Sequence, residues 1–168
     1  MSTVGNDARR PEADALPPLL LRSVPAGPGR DVLAQFLCGA GSATDPPDWY
    51  QEGEVFTLAD AASSTTDPVG VAHARAVGDG WVVELRALTV APAHRGRGHG
   101  RRLLDEVANA LRASGARHLT AAVPDDAIDR MELLRQAGFR DATVDRGATS
   151  RADDADTARD LVWFEQEL

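Results

Sequence analysis

Lysine is absent. All eighteen basic residues among the 168 are arginines, so the chain has neither a lysine for a Schiff base nor the phosphate-binding lysine of a P-loop, and no lysine of its own to be acetylated. Cysteine is nearly absent: the single Cys38 excludes an internal disulfide. The longest apolar run near the N-terminus is cut by Pro17 and Pro18, which argues against secretion and membrane insertion and makes a cytoplasmic location the expectation. Positive charge is also scarce, since twenty-six acidic residues give a net charge of −8. That balance argues against general binding to nucleic acid or an anionic membrane, since both need a broad positive surface. What remains is ordinary globular material, 43% hydrophobic and 26% charged. Its length suits one domain of roughly 100–200 residues.

Residues 1–15 mix charge, small residues and proline with no apolar period, so they read as a disordered leader, with the domain proper over 16–168. Leu19 to Val24 reads as a strand, and Val32, Leu33, Phe36 and Leu37 follow helical spacing after it. Residues 39–53 are dense in turn formers yet hold Trp49 and Tyr50, the sole tyrosine, and read as a loop packed on something. Strands are expected at Glu54 to Leu58, Val69 to Val77 and Trp81 to Val90, the last two joined as a hairpin by Gly78-Asp79-Gly80. The stripe Leu103, Leu104, Val107, Ala108 and Leu111 predicts a helix over Arg102 to Ala113. A strand at Leu119 to Val123, a helix over about Asp126 to Ala137 closed by Gly138, and a strand near Phe139 to Val144 follow. Residues 145–160 read as an exposed acidic loop before a last strand, LVWFEQEL. The expected fold is α/β, a mixed sheet with helices on its faces.

The most informative segment is HRGRGHGRR, residues 94–102, between a strand and the strongest helix. Glycines let backbone approach an anion, and the first-turn N–H groups of a helix have no partner within it, so a di- or polyphosphate is the expected guest. The dinucleotide fingerprint fails because Gly100 comes one position early, and the P-loop fails for want of lysine.

What remains is Arg-x-x-Gly-x-Gly at Arg95, Gly98 and Gly100, after a strand reading ELRALTV, with LLRQAGF (Leu133 to Phe139) downstream. In these motifs the chain resembles the GNAT superfamily of N-acetyltransferases. The resemblance implies a mixed, mostly antiparallel sheet with helices on both faces, and acetyl-CoA as acyl donor with no metal. It implies that the backbone around Arg95, Gly96, Arg97, Gly98, His99, Gly100 and Arg101 holds the pyrophosphate, and that backbone groups of Leu88 and Val90 hold the pantetheine arm. It further implies transfer of an acetyl or short acyl group to a primary amine by direct attack. A noncatalytic acyl-CoA-binding module on the same fold is the alternative, and an acyltransferase for protein N-termini a third reading. Dimers are common in this family, so a homodimer is an expectation.

An alkylamine is protonated at neutral pH, so direct attack needs a base. Glu84 is the candidate: Val83, Leu85 and Ala87 share the apolar face of a regular strand, Glu84 and Arg86 lie on the other, and the resemblance often places a base glutamate there. A solvated glutamate loosely paired with Arg86 is the competing reading. Two positions depart from the pattern: Leu134 stands where many members have an acid tyrosine, and Ala127 where an asparagine is usual. Tyr50 could substitute only if its loop folds over the cleft, and packing is its default role. The histidines at 73, 94, 99 and 118 lack metal-ligand spacing, and His73 and His118 read as surface. Acids around Trp49 (Asp48, Glu52, Glu54) and in the last loop (Asp153, Asp154, Asp156) favour a cationic acceptor, a small molecule or a peptide end, over an acidic one. Keeping a lysine-free protein soluble is their alternative role.

Overall fold

The computed structural model describes residues 18–38, 48–61, 67–149 and 158–168. The expected leader and the acids at 153, 154 and 156 lie outside the described residues.

The chain folds as β1 (Leu19–Val24), α1 (Pro28–Cys38), a 3₁₀ turn (Asp48–Gln51), β2 (Glu54–Asp60), β3 (Gly70–Val77), β4 (Val82–Val90), α2 (His99–Ala113), β5 (His118–Pro124), α3 (Ile128–Gln136), β6 (Arg140–Thr149) and β7 (Ala158–Glu167). The strands form one seven-stranded sheet in the order β1-β2-β3-β4-β5-β7-β6. Every neighbouring pair is antiparallel except β4 and β5. That pair must be parallel, because α2 carries the chain back across one face between them.

Alternation along the strands sends adjacent residues to opposite faces. Val55 and Val71 pack with Val24 of β1 and Leu33 of α1. Their chain neighbours Phe56 and Ala72 join the larger core instead, with Leu103, Leu104, Val107 and Leu111 of α2 and Met131 and Leu134 of α3. Helices thus cover both faces. After α3, Gly138 takes φ +93°, and the amides of Gly138 and Phe139 close on the carbonyls of Arg135 and Leu134 at 3.0 Å each. This is a Schellman end, which only glycine enters without strain.

The structure departs from the sequence reading at two element boundaries. α2 starts at His99, three residues before the expected start at Arg102, because the helix begins in the glycine loop itself. The polar stretch 145–160 is strand at both ends: β6 runs to Thr149 and β7 starts at Ala158. Two bulges along β6 let this mostly exposed edge strand form without an apolar pattern.

Candidate active site

The site begins where a strand pair comes apart. β4 and β5 pair from Val82–His118 to Leu85–Ala121, and the ladder ends there. β4 continues to Val90 held only by β3. On that side Ala74 faces Leu85 and His73 faces Ala87, so Arg86 is a bulged residue with no opposite number. The bulge corrects the expected strand face: Ala87 lies across from His73, while Leu88 packs against the α2 core.

Beyond the bulge, the amide of Ala91 bonds the carbonyl of Val69 at 2.9 Å. In an antiparallel ladder the bonded pairs alternate, so Leu88 and Val90 turn their N–H and C=O groups away from β3 and into the gap. The Val90 carbonyl accepts a bond there from Arg95 Nε, 3.0 Å. The gap is a cleft of about 330 Å³, walled by β4, β5, α3 and the C-terminal end of α1.

At its mouth stands the glycine–arginine loop. A single 3₁₀ turn (Pro92–His94) ends β4, and Gly96 and Gly98 then take φ +72° and +78°. Gly98 is the N-cap of α2, and no side chain among the described residues caps that helix. The first bond of the helix runs from the Arg102 amide to the Gly98 carbonyl, 3.1 Å, which leaves the amides of His99, Gly100 and Arg101 without intrahelical partners. Gly100 has no positive φ, and a Cβ there would rest at ordinary contact, 3.5 Å from Leu133.

The expected loop residues are brought together but do different things. Arg95, Gly96, Arg97, Gly98 and Arg101 are exposed. Arg101 pairs with Asp105 at 3.8 Å, and Arg102 donates to the Leu19 carbonyl at 2.8 Å, tying α2 to β1. His99 is buried and packs edge-on to His94, ring centroids 6.0 Å apart. Burial, and then the positive charge of His94, Arg97 and Arg102, push its pKa down. Its ring is therefore neutral at pH 7, and what it offers an anion is its backbone amide.

The deep end is built from side chains. Glu84 lies on the sheet face away from α2, between Arg75 of β3 and Thr120 of β5. Its carboxylate is 3.7 Å from the Arg86 guanidinium, the two side chains being 21% and 16% exposed. Arg86 lines the cleft; Glu84 stands just behind it. The Arg86 guanidinium also sits 6.0 Å from the Trp49 ring centroid.

Trp49 packs edge-on against His73 at 4.8 Å. His73 is buried, not on the surface as expected. Its Nε2 lies 2.7 Å from the Glu52 carbonyl, so Nε2 carries the proton, and Nδ1 is buried with no partner among the described residues. Burial is the main cause lowering its pKa.

The turn bearing Trp49 is clamped by Arg30, itself buried, which donates to the carbonyls of Val24, Tyr50, Gln51 and Gly53 at 2.9–3.0 Å. Tyr50 is buried, and its hydroxyl donates to Asp31 at 2.8 Å, which is a packing role.

Sequence reasoning missed two groups of the cleft wall, Arg86 and Arg130. Arg86 was visible beside Glu84, but the bulge that turns it inward was not. Arg130 sits one turn before Leu134 on α3, and Leu134 lines the cleft where the resemblance would have a tyrosine. Among the described residues no three His, Cys, Asp or Glu side chains gather as a metal site, and no helix is long and apolar enough to cross a membrane.

Comparison with known proteins agrees with this geometry. A search of curated proteins finds no match. Among solved structures, a Bacillus subtilis acetyltransferase in complex with CoA is 20% identical at TM-score 0.73, covering 90% of this chain and 99% of that one. A GNAT family acetyltransferase from Elizabethkingia anophelis with acetyl-CoA bound is 16% identical at 0.68, covering 89% and 98%. The ribosomal-protein-S18-alanine N-acetyltransferase of Escherichia coli is 19% identical at 0.61, covering 88% and 94%. At these identities the likeness speaks to the fold. Residues 32–139 match the acetyltransferase (GNAT) family, well over half of the chain, and the chain belongs to that family of acyl-CoA-dependent transferases.

Proposed function

We propose that this protein transfers an acetyl or short acyl group from acyl-CoA to a primary amine by direct attack. The observation that carries the reading is the parting of β4 and β5 at Leu85–Ala121, beside a glycine loop whose helix amides are free. The pyrophosphate lies at the amides of Gly98 to Arg101, with Arg95 and Arg97 adding charged donors. The pantetheine arm runs into the cleft along the free edge of β4, bonded by the backbone of Leu88 and Val90.

The acceptor amine arrives from the face that carries Glu84, and Glu84 takes its proton. The acceptor is a cationic amine, small or at a peptide end: the net charge of −8 raises the local concentration of cations around the protein. At the site itself the charges are mixed, since Glu52 pairs with Arg75 at 3.6 Å and Glu84 with Arg86. The preference is therefore a matter of long-range field.

The test is an amine panel with acetyl-CoA, read by released thiol and by product mass, across a salt series. The expected result is turnover whose kcat/KM falls as salt rises. Binding of acetyl-CoA with no thiol release from any amine favours the noncatalytic module, for which Leu134 speaks.

A further inference from the structure

Four polar side chains line the cleft, Arg86, Thr89, Arg95 and Arg130. None of these gives up a proton near neutral pH, since a guanidinium stays charged and an alcohol does not ionise. Among the described residues the cleft wall thus holds cations and no general acid. A thiol leaving group met by this wall departs as an anion.

The three arginines are not equivalent. Arg95 is exposed, at the mouth, with its Nε held by the Val90 carbonyl. Arg130 is exposed on the first turns of α3. Arg86 alone is largely buried, at the point where the β4–β5 ladder ends. At about 3.3 Å per strand residue, it lies roughly 13 Å along β4 from Val90.

We propose that Arg86 stabilises the departing CoA thiolate electrostatically, in place of a proton donor. The inference rests on the acyl-transfer reading above. The amine nitrogen bonds to the thioester carbonyl carbon, and the carbon–sulfur bond then breaks with its electron pair going to sulfur. Glu84 has by then passed the proton of the arriving ammonium to solvent; it takes the second proton, from the nitrogen of the tetrahedral adduct, which neutralises the partner of Arg86 at 3.7 Å just as the thiolate forms. The guanidinium thereby exchanges the carboxylate for the sulfur as its counter-ion, and the thiolate takes a proton from solvent on release.

The charged and titratable groups facing Arg86 are Glu84 on its own strand, His73 and Arg75 on β3 with Glu52 and Arg30 behind them, Arg95 at the mouth and Arg130 on α3 across the cleft. All the cations among them act in the same direction on sulfur. Among the described residues only Arg86 pairs with Glu84.

The experiment titrates the thiol of bound CoA by thiolate absorbance in the intact protein, subtracting the spectrum with desulfo-CoA to cancel Cys38. A free thiol ionises near ~8.5, and an adjacent guanidinium lowers that value. The expected result is bound CoA titrating about one unit below free CoA, further below in Glu84→Gln, and with most of that lowering lost in Arg86→Met. Arg86→Lys, which keeps a cation, retains most of the lowering. Desulfo-CoA affinity stays within about twofold in all variants, because Arg86 is remote from the phosphate loop. Equal lowering in Arg86→Met and wild type overturns the proposal, as does no lowering in the wild type, while the cofactor assignment stands. Failure to bind CoA at all overturns both.

Discussion

The two ends of the cleft are built on different principles. The mouth is backbone: two glycines at positive φ, an uncapped helix start and exposed arginines, all within residues 95–101. The deep end is side chains, with Arg86 of β4 in the wall and, behind it, Glu84 of β4, His73 and Arg75 of β3, and Trp49 from a turn pinned by Arg30. A site made of amides tolerates loss of a side chain and fails when φ is constrained. One made of ion pairs and rings fails when a partner is removed. The variants that separate the two ends follow from that contrast.

The largest effect belongs to the deep end. Glu84→Gln lowers kcat by ~10²–10⁴-fold at neutral pH with acetyl-CoA affinity nearly unchanged, measured by steady-state kinetics and calorimetry. Raising the pH restores part of the rate, because more of the amine is already neutral. Near-normal turnover would return Glu84 to a paired strand residue.

Next is the clamp. Arg30→Met leaves four carbonyls without their donor, and losing a buried network of this kind costs on the order of 3 kcal/mol, read as a shift in the denaturation midpoint. The contrast is sharpened if acceptor KM rises in this variant while acetyl-CoA affinity holds, because the clamp serves the Trp49 turn and not the glycine loop.

At the mouth, Gly98→Val forces a β-branched residue to φ +78°, a strain of roughly 1–2 kcal/mol. Acetyl-CoA binding weakens by about tenfold or more while Glu84 chemistry persists at saturation. Gly100→Ala, where no positive φ is demanded and Leu133 is at 3.5 Å, weakens binding far less. Equal losses at the two positions would mean that close approach to phosphate, and not φ, sets the glycine requirement.

The smallest effect is on stability against pH. His73 and His99 both have folded pKa values below the ordinary 6.5. The unfolded chain therefore binds protons first as pH falls, so their contribution is full above about 6.5 and is lost as pH drops through and below that value. The thermal midpoint should decline between pH 7.5 and 5.5, with the decline reduced in His73→Gln.

Local pattern carried most of the fold. Leu103 to Leu111 on a helical stripe, the Gly78-Asp79-Gly80 hairpin and Gly138 as a helix end were legible because each depends on residues within one or two turns. The loop at 95–101 was legible for the same reason. The ends of β6 and β7 were not, since Arg140 to Thr149 forms strand by pairing with β7 and lacks an apolar alternation of its own.

By itself, the sequence determined that residues 94–102 present glycines and arginines at a helix start, and it placed Glu84 on the strand that leads there. Only the tertiary structure decided the rest of the site. The bulge that sets Arg86 into the cleft exists in the register of β4 against β3, and the cleft itself in the parting of β4 from β5. The burial of His73 depends on Trp49, twenty-four positions away, and on the Arg30 clamp that holds it there. Strand register and burial arise from pairings between distant segments, which no local pattern along the chain encodes.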